Sequence, residues 1–108
     1  MNQALIEPGV WINARAIIGY KSEVKSGALI NTQAIVEHHT ILKSCCQLDP
    51  AVVVAGNVTV GECAHLHMGA LITNRINIGA NAIVGAGSVV LSNVAANIKV
   101  AGAPAKEI

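Results

Sequence analysis

The residues with the most chemical scope in this chain are its four histidines, and they fall in two pairs. His38 and His39 are adjacent and follow Glu37 in the stretch AIVEHHT. His65 and His67 are separated by Leu66. Imidazole takes up a proton close to neutral pH, and it also ligates transition metals. An acid followed by two imidazoles is therefore open to three readings: a proton-transfer site, a metal site or a solvated turn. Where the side chains stand on the folded surface decides among them, so the elements that carry them come next.

Hydrophobic residues make up 53% of the 108, yet there is no Phe, one Trp and one Tyr. An ordinary core uses more aromatic mass. The interior is therefore narrow and built from Ala, Val, Ile and Leu. Ten glycines and 12% charged residues suit a turn-rich β protein. A net charge of +1 with no Lys/Arg cluster argues against electrostatic binding of nucleic acid. No apolar run reaches the length of a membrane-spanning helix, and the start of the chain has no signal-peptide pattern. The expected location is the cytoplasm, where Cys45, Cys46 and Cys63 stay reduced.

Every sixth residue from Ile6 to Val90 is Ile, Leu or Val, fifteen times in succession. Those types are 33 of the 108 residues, so chance fills all fifteen positions with a probability of about 10⁻⁸. Two residues before each lies a second series, mostly Ala, Ser, Thr, Cys or Val, and never charged. Six is a multiple of the strand period of two and does not match 3.6. Each hexad is thus a short strand and a corner that send one large and one small side chain inward. Three hexads close a triangular coil of eighteen residues, and about five coils stack as an all-β parallel helix.

Residues eighteen apart then form columns on the surface. Ile17, Ile35, Val53, Leu71 and Val89 form an outward column that is apolar throughout, which marks a contact face between copies of the chain. Tyr20, His38, Gly56, Asn74 and Ser92 form a corner column at its edge, so His38 stands one coil from Gly56. Imidazole there can act as a base, and a glycine N–H can polarise a carbonyl oxygen. His39 belongs to the polar column beside it. Glu37 either orients His38 or a substrate group, or is a solvated acid. His65 and His67 flank inward Leu66 and both point outward. With no third ligand in view they read as surface histidines, and no metal is expected.

The repeat resembles the hexapeptide-repeat family of left-handed parallel β-helices, with VTVGEC, INIGAN and AIVGAG as good copies. The resemblance implies left-handed winding and a homotrimer. LINTQAIVEHHT followed by AGNVTVG is similar to acetyltransferases that act on nucleotide-linked amino sugars and to sialic acid O-acetyltransferases. It implies acetyl-CoA as co-substrate, with transfer to an amine or hydroxyl of a sugar or nucleotide-sugar. In that family's pattern His38 is the general base, Glu37 lies beside it and Asn31 positions the acceptor. Gly56 offers its N–H to the acetyl carbonyl, with Asn74 next in the column. The ending VAGAPAKEI places Gly102, Pro104, Ala105 and Lys106 near the coenzyme. His39 stands where the family often has an acid, and Gln47 where it has a second histidine. The chain reads as one domain over 1–108, coils about 4–93 and a tail 94–108, without an N-terminal sugar-nucleotide-binding domain. The rival reading is a trimeric binding or scaffold protein that kept the fold and lost the chemistry.

Overall fold

A computed structural model describes residues 3–108. The hexads form fifteen two-residue strands, each separated from the next by a four-residue corner. They stack in parallel as three sheets, the faces of a triangular prism. The first face carries Leu5–Ile6, Glu23–Val24, Ile41–Leu42, Thr59–Val60 and Asn77–Ile78. The second carries Trp11–Ile12, Leu29–Ile30, Gln47–Leu48, His65–Leu66 and Ile83–Val84, and continues into Lys99–Gly102 and Ala105–Glu107. The third carries Ile17–Ile18, Ile35–Val36, Val53–Val54, Leu71–Ile72 and Val89–Val90. The register pairs residues eighteen apart throughout, as in Ile35 with Val53 and Gln47 with His65.

Both inward series fill the core. Ile30, Leu42, Leu48, Leu66 and Ile78 are among its fully buried large side chains, and Ala34, Ala70 and Ala82 fill the small positions. Three buried members of the small series are polar, and each is satisfied. Ser22 Oγ donates to the Glu37 carbonyl at 2.6 Å, Thr40 Oγ1 donates to the Ala55 carbonyl at 2.8 Å, and Ser88 Oγ accepts from the Gly102 N–H at 3.2 Å. These hydroxyls pin one coil to the next where an aliphatic side chain only fills space. Burial pushes the Cys46 thiol up from 9.0 to about 12, which keeps it neutral in the core.

The corners share one backbone device. From Ile6 to Val84 the third residue after each inward aliphatic lies in the left-handed region, including Arg15, Lys21, Gln33, His39, Cys45, Ala51, Asn57 and Cys63 with φ between 56° and 64°. Side-chain type does not explain this, since few of these residues favour that region. The stacking does: the corner N–H of His39 donates to the Tyr20 carbonyl at 2.9 Å, and that of Asn57 to the His38 carbonyl at 3.0 Å. At Gly61 a closer approach is required, because a Cβ there would lie 2.5 Å from the Ala80 nitrogen in the next coil.

The winding runs further than the hexad count. After Val90 the next inward residue is Val94 rather than Ala96, and Val100 follows six later. Val94 bridges to Ile78, and Lys99–Gly102 pairs in parallel with Ile83–Val84. The segment read as a tail thus adds most of another coil. It ends in an antiparallel hairpin through Gly102 and Ala105, with a cis Ala103–Pro104 bond at its turn. Among the described residues no helix is long and apolar enough to cross a membrane.

Candidate active site

The corner between the third and first faces, residues 37 to 40, carries the adjacent histidines. It is clamped at both ends by buried Val36 and Thr40. Thr40 Oγ1 also accepts from the Val58 N–H at 3.3 Å, which ties this corner to the one below it. The backbone of His38 is therefore fixed while its side chain is exposed.

The imidazole of His38 lies over Gly56. A Cβ on Gly56 would stand 2.6 Å from Nε2 and 2.7 Å from Cε1 of that ring. Only a glycine admits the ring in this position, and Gly56 is itself buried beneath it. The Gly56 N–H has no acceptor among the described residues, although its carbonyl accepts from the Arg75 N–H at 3.1 Å. The equivalent N–H finds no acceptor among them at several other corners too. Gly56 differs in having an imidazole directly above it.

His38 Nδ1 meets His39 Nδ1 at 3.0 Å, with the rings 5.2 Å apart and nearly perpendicular. Tyr20 packs edge-on against the other side of His39, at 5.8 Å. The Nδ1 contact couples two tautomers, since one ring must donate and the other accept. If His38 donates, its Nε2 carries a free lone pair above Gly56. If His39 donates, His38 is left with Nε2–H and has no basic nitrogen there.

The structure does not bring all the sequence-derived site residues to this corner. The Glu37 side chain is exposed and has no hydrogen bond to His38, whose Nδ1 partner is His39. Asn31 lies at the other end of the strand Ile35–Val36, on the corner between the second and third faces. Its Oδ1 accepts from the Thr32 N–H at 2.7 Å and from Asn13 Nδ2 at 2.9 Å. Within one chain, Asn31 and His38 thus flank opposite edges of the third face. Asn74 is exposed in the coil after Gly56. Ala105 and Lys106 line a groove of about 390 Å³ at the C-terminal end of the prism, together with Ser92. Ser92 is the fifth member of the His38 column, so that column runs from the imidazole to the groove. Gly102 and Pro104 form the hairpin turn beside it.

Two features escaped the sequence reading. His39 is the direct partner of His38, which the strand rule of diverging neighbours hides because His39 is in a left-handed corner. His65 and His67 also have a third donor beside them, Asp49. The column arithmetic held the signal: Asp49 and His67 are eighteen residues apart, as are Gln47 and His65.

No protein-family model matches the chain, and no curated protein matches it. Solved structures do. An N-acetyltransferase from Caulobacter crescentus, PerB, in complex with CoA and GDP-perosamine, is 38% identical over 97% of this chain and 54% of its own, with a TM-score of 0.88. A variant of the GDP-perosamine N-acetyltransferase of the same organism, with one histidine replaced by alanine, superposes equally well at 37% identity over 97% of this chain and 53% of its own. The acetyltransferase domain of PglB from Neisseria gonorrhoeae is 29% identical over 97% of this chain and 57% of its own, with a TM-score of 0.74. The chain spans about half the length of the structures it matches. Its structural neighbours are hexapeptide-repeat acetyltransferases, and it shares their repeat fold.

Proposed function

We propose that this chain is the acetyl-transfer unit of an enzyme that moves an acetyl group from acetyl-CoA to the amine of a nucleotide-linked amino sugar. The observation that carries this reading is the His38 imidazole seated on Gly56, with its Nδ1 engaged and its Nε2 at the glycine. A similar enzyme that binds CoA and GDP-perosamine supports the choice of donor and acceptor.

In the proposed reaction His38 Nε2 accepts a proton from the acceptor amine as its nitrogen attacks the thioester carbonyl. A C–N bond forms, and the carbonyl oxygen takes the negative charge. The Gly56 N–H donates to that oxygen. Collapse breaks the C–S bond, and the imidazolium of His38 returns its proton to the leaving thiolate. His39 is a positioning residue: by accepting at Nδ1 it holds His38 in the tautomer whose Nε2 is basic. The coenzyme runs along the column from Gly56 past Asn74 and Ser92 to the C-terminal groove, where Lys106 meets a phosphate. Asn31 acts on the acceptor from the neighbouring copy, because within one chain it stands at the far edge of the third face.

The assembly is a trimer closed through the Ile17, Ile35, Val53, Leu71 and Val89 column. Ile17 and Leu71 are exposed in the single chain, at 56% and 43%. Val53→Asp should yield monomers in sedimentation velocity, and a wild type that sediments as a monomer overturns the trimer. The cytoplasm is the matching location, where acetyl-CoA is available.

The function is tested by titrating the protein with acetyl-CoA in a calorimeter and then measuring thiol release with a panel of nucleotide-linked amino sugars. Binding with acceptor-dependent thiol release is expected. A trimer that binds no acetyl-CoA and releases no thiol is a scaffold, and the proposal fails.

A further inference from the structure

We propose that Asp49, His65 and His67 form a binding site for a divalent transition-metal ion of the zinc class, on a different corner of the prism from His38. The inference does not rest on acetyl transfer.

The three side chains converge from adjacent coils. Asp49 and His67 occupy equivalent positions in successive coils, just past the second face, and His65 points outward from the strand between Ala64 and Leu66. His65 Nε2 lies 2.9 Å from Asp49 Oδ2, and His67 Nδ1 lies 3.5 Å from the same oxygen. All three donor atoms fall within 4.8 Å of one another, the one such group among the described residues. Zinc bonds of about 2.0–2.2 Å to nitrogen and carboxylate oxygen place neighbouring donors of a tetrahedral shell about 3.4 Å apart. The two contacts with Asp49 bracket that spacing, so small rotamer shifts admit an ion.

The surroundings fit the same chemistry. Gln47 Nε2 donates to Asp49 Oδ1 at 3.0 Å, which turns Oδ2 toward the imidazoles. Outer contacts of this kind orient ligating carboxylates in metal sites. The two rings are stacked 4.0 Å apart with a 25° interplanar angle. Rings held side by side in this way can turn one nitrogen each toward a single cation. Side-chain exposures of 19% for Asp49, 30% for His65 and 40% for His67 leave an entry path and room for water as a fourth ligand. Two imidazoles and one carboxylate select zinc, cobalt or nickel over magnesium or calcium. The ion would bind residue 49 of one coil to residues 65 and 67 of the next.

The test uses the full chain, stripped with chelator and titrated with Zn²⁺ and Co²⁺. One equivalent per chain is expected, with the visible absorption of four- or five-coordinate Co²⁺ and a higher Tm in Zn²⁺. Asp49→Asn, His65→Gln and His67→Gln should each weaken binding by about 10- to 100-fold and remove the Co²⁺ band. All three positions are partly exposed, and circular dichroism checks that each variant folds. A His38→Ala/His39→Ala variant should bind Co²⁺ as the wild type does. The proposal is overturned if the wild type binds no more tightly than His65→Gln/His67→Gln, which would leave Asp49–imidazole hydrogen bonds as the whole content of the cluster. It is equally overturned if binding is lost with His38 and His39 instead.

Discussion

The two histidine pairs ride on the same repeat, about one and a half coils apart, and their rings relate in opposite ways. His65 and His67 stand two residues apart across a strand, so both leave the prism on the same side and stack nearly parallel. Both then face one oxygen of Asp49. His38 and His39 are consecutive, and His39 adopts φ 56° at the corner. That turn swings its ring across the edge of His38, so the two meet through a single nitrogen each. A strand pair converges on a shared third group, which is the geometry of chelation. A corner pair meets edge-on and leaves the outer nitrogen of His38 unengaged by His39, which is the geometry of a proton relay. The same residue type acquires different chemistry from its phase in the hexad.

Perturbing the corner pair sharpens this contrast. The largest effect is expected from His38→Ala, which removes the proposed base and should lower kcat by about 10²- to 10⁴-fold in the thiol-release assay. A kcat within twofold of wild type would rule out His38 as the base. Gly56→Ala comes next. Its new methyl group meets the flexible His38 ring rather than backbone, so Tm should barely move while the displaced imidazole costs about 10²-fold in kcat/KM. A large fall in Tm with kcat/KM preserved would mean that Gly56 serves packing instead of the reaction. The smallest effect belongs to His39→Ala, which removes one orienting hydrogen bond and should cost roughly 2- to 10-fold. His39→Asp should restore most of that loss, since the left-handed corner tolerates Asp and a carboxylate can accept from His38 Nδ1. A His39→Asp variant no more active than His39→Ala would show that His39 has no hold on the His38 tautomer.

The core thiol offers a control on the scaffold. Cys46 is fully buried and neutral to about pH 12, whereas Cys45 and Cys63 are exposed. Stability linked to the neutral Cys46 thiol is fully present below about pH 9, where the unfolded thiol is also protonated, and falls as pH rises toward 12. Alkylation should label two thiols per folded chain and the third only on unfolding. Three rapid labels would mean that the stacked interior is open.

The inward half of the molecule was legible in the sequence because its positions admit so few side-chain types. Leu42, Leu48 and Val54 have a coil above and below them and nowhere else to go, so periodicity alone located them. The same register put His38 over Gly56. The corners were not legible in this way. Position 39 and its equivalents hold Gly at four corners but Arg, Lys, Gln, His, Cys, Ala and Asn at the others, where the left-handed backbone is imposed by hydrogen bonds from adjacent coils. The His38–His39 contact follows from that backbone, so the sequence could not reveal it. Asp49 was half legible. Its column holds His67, eighteen residues on, but its shorter contact is with His65, sixteen residues on and between neighbouring columns, which a map at intervals of eighteen passes over. The shortened step from Val90 to Val94 lay past the end of the regular hexads, where no further periods were left to reveal it.

The bonding of each coil only to the coils directly above and below sets where the molecule opens first. Such a stack loosens from its ends inward, and its middle is reached last. At the N-terminal end Leu5, Ile6, Trp11 and Ile12 are all exposed at 40% or more, so the first coil is held from one side. Neither histidine pair belongs to an end coil. Amide hydrogen exchange should therefore slow from Glu7 toward Val54 and Leu66 and quicken again toward Val100. The chemistry sits where the backbone is slowest to exchange with solvent, and stays assembled through fraying that frees either end.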